Sequence, residues 1–139
     1  LFPIPVNAPG PLKAAEQYET LIRENMGLAE GQFPRFDMVL LGIGKDGHTA
    51  SLFPGDEALF ETRKIAVAVI PEKGHSRITL TLPSINMAGH IFFFVAGKEK
   101  AAVLKKTVIG DPAVPAALVK PIQGELVFIS DPDAGSELK

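Results

Sequence analysis

Phe36-Asp37-Met38-Val39-Leu40-Leu41 runs directly into Gly42-Ile43-Gly44-Lys45-Asp46-Gly47-His48-Thr49-Ala50-Ser51-Leu52-Phe53-Pro54-Gly55, a short apolar segment broken by the densest cluster of glycine and polar residues in the chain. An apolar run of this length stopped by glycine suits a strand buried on both faces, which places it in the interior of a parallel sheet. Ligands of an α/β sheet bind at the carboxyl ends of its strands. The glycine-rich segment is therefore where a site is expected.

Outward from this segment, four further stretches read as strands: Lys64 to Ile70, Arg77 to Leu82, Ile91 to Ala96 and Leu126 to Ile129. Thr79 and Thr81 in the second of these suggest a half-exposed or edge strand. Leu12, Ala15, Tyr18, Leu21 and Ile22 recur at helical spacing and predict an amphipathic helix from Leu12 to about Met26, with Gly27 as its C-cap. Gly97-Lys98-Glu99-Lys100 opens a second helix through Val108, ending at Gly110, and Asp131 or Asp133 caps a short terminal one. Strands alternating with helices give an α/β layered fold with a mostly parallel sheet. No internal repeat, linker or domain boundary interrupts residues 1–139, which read as a single α/β domain.

Composition narrows the function. Fourteen Lys and Arg against 16 Asp and Glu leave a net charge of −2, so the basic stripe of an electrostatic nucleic-acid binder is missing. The chain is 46% hydrophobic and 22% charged, as a soluble globular domain is. Without cysteine there is no disulfide, thiolate metal site or cysteine nucleophile, and the expected compartment is the cytoplasm. No apolar run approaches the roughly 18 residues of a membrane span. Leu1-Phe2-Pro3-Ile4-Pro5 lacks both a signal-peptide pattern and an initiator Met, so a fragment or a processed form is expected.

The glycine segment fits two familiar spacings incompletely. Gly42-x-Gly44-x-x-Gly47 has the dinucleotide-binding pattern, but Pro54-Gly55 cuts short the helix that should follow, and no acidic residue ends the next strand. Gly42-x-x-x-x-Gly47-His48-Thr49 follows the Walker A pattern, except that His48 stands where a lysine must reach the phosphates. What remains is an Asp and a His two residues apart on a glycine loop. A short helix starting near His48 would disfavour imidazolium and keep the ring able to accept a proton, the property of a general base. On the bland alternative Asp46 is an N-cap and His48 a surface residue.

The string from Gly42 to Gly55 resembles the signature of the 6-phosphogluconolactonase family, which belongs with the glucosamine-6-phosphate deaminases. Arg77-Ile78-Thr79-Leu80-Thr81-Leu82-Pro83-Ser84-Ile85-Asn86 and Gly97-Lys98-Glu99-Lys100-Ala101 are similar to further family segments, and the likeness covers nearly the whole chain. Deaminases place a Glu five residues after the His, where this chain has Phe53, so the resemblance favours the lactonase. It implies a Rossmann-like three-layer α/β/α fold and hydrolysis of 6-phospho-D-glucono-1,5-lactone to 6-phosphogluconate in the pentose phosphate pathway. It further implies His48 as the base that activates water, Asp46 as its orienting partner, Gly44 as part of the substrate-binding loop, and Lys73 and Arg77 as phosphate-binding cations. Loop amides would serve as oxyanion donors. No metal and no cofactor is implied, and the expected partner is a small sugar-phosphate lactone bound by a monomer.

The chain also departs from the pattern. Ile70-Pro71-Glu72-Lys73-Gly74-His75 replaces a proline-rich family segment, which makes the alignment of Lys73 less secure than that of Arg77. The family's opening strand, its Gly-Gly-Ser/Thr-Pro-type phosphate loop and its Asp-Glu-Arg segment have no counterpart, so the chain corresponds to the family's C-terminal portion. Standing alone it would expose a sheet edge and be weakly active or inactive. The alternatives are a deaminase, a non-catalytic fragment and a nucleotide-binding module. His75 and His90 are expected to have no catalytic role.

Overall fold

The computed structural model describes residues 2–138. Helix α1 (Pro11–Met26) begins at a proline, whose missing N–H would be unpaired in a first turn anyway. It ends at Gly27, in the left-handed region at φ 63°, where Leu28 N–H returns 2.9 Å to the Arg23 carbonyl. Strands β1 (Met38–Leu41), β2 (Ala66–Val69), β3 (Arg77–Leu80), β4 (His90–Val95) and β5 (Glu125–Ser130) follow, with helices α2 (Leu82–Asn86) and α3 (Ala101–Val108) between them. Single 3₁₀ turns lie at Glu57–Phe60, Lys98–Lys100, Pro115–Leu118 and Ala134–Glu137.

β1, β4 and β5 form a parallel sheet in the order β1-β4-β5, while β2 and β3 form a separate antiparallel hairpin on which α1 packs. In the parallel sheet Leu41, Phe93 and Phe128 share one row and Leu40, Phe92 and Val127 the next. Side chains alternate between faces, so the two rows point opposite ways. Ile91, Phe93 and Val95 enter the core with Leu52, Ile85, Val103, Leu104 and Val119, and the Phe93 ring stacks on Phe128 at 5.1 Å.

Three expectations are corrected here. β1 is not a sheet-interior strand: its sole strand partner among the described residues is β4, and Met38 and Leu40 are 56% and 61% exposed. The core covers one face only, so Met38, Leu40, Phe94 and Ile129 stand open on the other. Thr79 and Thr81 are buried rather than half-exposed, because their hydroxyls find carbonyls, Thr81 Oγ1 donating to Lys64 O at 2.7 Å, although β3, paired only with β2 among the described residues, is the edge strand of the other alternative. Leu12, read as part of the apolar stripe of α1, is exposed, and the buried stripe is Ala14, Ala15 and Ile22.

Loops at the carboxyl rim of the sheet are tied to one another. The Asp131 carboxylate, just past β5, accepts from Gly97 N–H at 3.0 Å and from Ala134 N–H at 2.7 Å, so Asp131 rather than Asp133 supplies the side-chain cap of the last turn. Among the described residues no helix is long and apolar enough to cross a membrane.

Adjacent phenylalanines on β4 should behave oppositely in denaturant melts of this chain. Phe93→Ala empties a fully buried site and is expected to cost about 3–5 kcal/mol. Phe94→Ala removes an exposed ring and should stay within about 0.5 kcal/mol. Equal losses would refute the one-sided core.

Candidate active site

Past Leu41 the chain folds back on itself. Gly44 N–H donates to the His48 carbonyl at 2.8 Å, Gly47 N–H returns to the Gly44 carbonyl at 3.0 Å, and Thr49 Oγ1 donates to Gly42 O at 2.9 Å. Gly47 sits at φ 87°, and a Cβ there would run into Val114. Among the described residues Ala50 is the one non-glycine residue at positive φ, 49°, within the tight turn that Leu52 N–H closes on Thr49 O. No helix starts at His48: the next helical turn is Glu57–Phe60, because the Ala50 turn and Pro54-Gly55 interrupt the path. The expected helix-dipole effect on the imidazole is therefore replaced by a direct partner.

That partner is Asp46, whose Oδ1 lies 2.6 Å from His48 Nδ1 and also accepts His48 N–H at 3.2 Å. A carboxylate only accepts, so Nδ1 carries the hydrogen and the Nε2 lone pair is left for a substrate or water. Partial burial pushes the Asp46 carboxyl up, but the His48 backbone N–H and imidazole outweigh it and hold the group below its ordinary value. Gly44 supplies space for this pair, since a Cβ there would overlap the His48 ring and the Asp46 carboxylate. With the amides of Gly44, Gly47 and His48 engaged inside the loop, Gly44 has no free N–H to offer a substrate.

The hairpin reaches the loop from the other direction. Ser51 N–H donates to the buried Thr79 Oγ1 at 3.2 Å, and the guanidinium carbon of Arg77 lies 5.4 Å from the centroid of the Phe53 ring. The same ring stands 4.6 Å from the imidazole of His48. Structure thus gathers His48, Asp46, Gly44 and Arg77, and Lys73 is exposed on the turn between β2 and β3, on the same hairpin as Arg77. His75 is likewise exposed, and His90 lies at the amino end of β4, away from the loop.

Sequence reasoning used Phe53 only to separate lactonase from deaminase, took Thr49 only as part of the glycine segment, and named Lys100 only within a helix-opening segment, with no structural role for any of the three. Lys100 Nζ donates to Ile43 O at 2.6 Å, holding the glycine loop from the rim of β4. Only its position two residues past a Gly97-Lys98 turn hinted at that. A cleft of about 1200 Å³ lies between α1 and residues 55–70 and includes none of His48, Asp46 or Arg77. Among the described residues no three His, Asp or Glu side chains gather as a metal site would require.

A parallel α/β sheet with a carboxylate-braced histidine on the loop leaving a strand defines an α/β domain with its reactive side chain at the rim where such sheets take their ligands. The chain belongs to the glucosamine-6-phosphate isomerase/6-phosphogluconolactonase family, whose profile matches residues 1–128. It is 41% identical to a 6-phosphogluconolactonase of Nostoc over 97% of this chain and 57% of that protein, and 40% identical to the human 6-phosphogluconolactonase over 86% and 47%. The solved 6-phosphogluconolactonase of Trypanosoma cruzi superposes with a TM-score of 0.82 at 32% identity, over 92% of this chain and 52% of that one. A monomeric glucosamine-6-phosphate deaminase shares the fold, with a TM-score of 0.66 at 22% identity over 89% and 54%. The chain spans about half the length of the curated relatives it matches.

Gly44→Ala is expected to break the Asp46–His48 hydrogen bond, seen as loss of the downfield His48 imidazole N–H resonance. In the parent chain acid should act in the opposite sense from a raised pKa. A carboxyl held below 3.8 in the folded loop contributes fully above that value and loses its contribution as the pH falls through its lower native one. The resonance should therefore survive mild acid and vanish only below about 3.8. Loss nearer neutrality would show that Asp46 is not the partner.

Proposed function

We propose that this chain carries the reacting half of a 6-phosphogluconolactonase, hydrolysing 6-phospho-D-glucono-1,5-lactone to 6-phosphogluconate in the cytoplasm. The observation that supports it is the Asp46-braced imidazole lying against the same aromatic ring as a guanidinium. With ring distances of 4.6 and 5.4 Å, base and cation are at most about 10 Å apart. That span suits an ester whose phosphate is a few bonds from the acyl carbon.

In this reading His48 Nε2 takes a proton from water as its oxygen bonds to the lactone carbonyl carbon. Asp46 holds the imidazolium that results. The tetrahedral intermediate then expels the ring oxygen, which receives the proton from Nε2, leaving the open-chain acid. Arg77 binds the phosphate, with Lys73 a supplementary cation from the hairpin turn. No step calls for a metal. Phe53 has no proton to give where a deaminase needs a carboxylate, and no helix backs the glycine loop as a nucleotide's phosphates would require.

The assay is lactone opening above the spontaneous rate, in this chain and in the full-length protein. His48→Ala should lower kcat about 10²–10⁴-fold. Arg77→Gln should raise KM about tenfold with kcat little changed, and Lys73→Ala should raise it less. EDTA should have no effect. A His48→Ala variant as fast as its parent would overturn the reading, and ammonia release from glucosamine 6-phosphate would replace it with the deaminase.

A further inference from the structure

We infer that Phe53 is a positioning residue, an aromatic spacer that couples the general base to the phosphate-binding cation; the inference rests on the lactonase reading above. Three observations converge on it. The Phe53 ring is partly buried and packed against the core cluster, so it is anchored from below. His48 rests on it at 4.6 Å with the ring planes tilted by 39°, and the Arg77 guanidinium lies over it at 5.4 Å.

The two functional side chains come from separate pieces of the fold. His48 is on the loop after β1, in the parallel sheet, and Arg77 opens β3, in the hairpin. Backbone contact between those pieces at the site is limited to side-chain help, such as Ser51 N–H on Thr79 Oγ1. Arg77 has one further hold, from Nη1 to the His75 carbonyl at 3.1 Å, and that carbonyl is itself on an exposed turn. Without the ring, a long guanidinium side chain at an exposed strand end has many rotamers, and an imidazole held through Nδ1 can pivot about that bond. An aromatic face restricts both together: it attracts the cation and limits the tilt of the imidazole.

A residue of this kind has a signature that mere packing lacks. Phe53→Leu keeps apolar volume on the core but removes the π face, so KM for the lactone should rise roughly two- to fivefold, the range of an exposed cation–π contact, with a fall in kcat from the freed imidazole. Phe53→Tyr keeps the face and should restore both within about twofold. In an Arg77→Met background Phe53→Leu should no longer change KM but should still lower kcat. Equal KM effects in both backgrounds, or a Tyr variant as impaired as the Leu variant, would overturn the inference.

A second measurement keeps the two levels apart. In wild-type protein the His48 ring protons should be shifted upfield by the Phe53 ring current, and Arg77→Met should alter that shift although no hydrogen bond joins Arg77 to His48. Absence of the ring-current shift, or its indifference to Arg77, would overturn the positioning role whatever the activity. Lack of lactone hydrolysis with the shift and its Arg77 dependence intact would overturn the function and leave the positioning standing.

Discussion

Parallel pairing is the constraint on which the rest depends. When β1, β4 and β5 run the same way, their carboxyl ends share one rim and the loops leaving them become neighbours without being adjacent in sequence. The chain exploits this with charged side chains aimed at backbone: Asp131 holds the turn after β4, and Lys100 from that turn holds Ile43 in the loop after β1. A tie from β5 through β4 to β1 thus ends on the glycine loop. Each link is a charge-assisted hydrogen bond, stronger than a neutral one.

Rigidity at the loop then becomes chemistry. A loop that spends the amides of Gly44, Gly47 and His48 on itself has little freedom left, and its polar pair, Asp46 with His48, is held in a single tautomer by the acceptor character of a carboxylate. The cost is access to backbone donors. Stabilisation of a developing oxyanion by the amides of Gly44, Gly47 or His48 would first require opening contacts that the folded loop makes.

Much of this was legible in the sequence, and the limits have physical reasons. All five strands and both principal helices were marked by apolar runs with glycine or proline at their ends, and the glycine loop was dense enough to place the site. Apolarity, however, does not say which face of a strand is covered. Met38 and Leu40 look the same in sequence as Val39 and Leu41, yet only the latter pair faces the core. The burial of Thr79 escaped the pattern for the converse reason, since a hydroxyl bonded to a carbonyl can be buried as readily as an alkyl group even on an edge strand. The contacts of Lys100 and Phe53 depend on which strands are neighbours, which local pattern does not encode.

Ala50 has one more implication. An alanine at φ 49° bears a steric cost of roughly 1–2 kcal/mol that glycine would not, so the turn behind His48 is loaded in its resting state. A glycine at this position would make the molecule more comfortable and the turn more supple at once. Thermal robustness and a well-aimed imidazole therefore pull the choice of residue in opposite directions, and a search for stabilising substitutions across this domain would favour the change that most loosens its reactive loop.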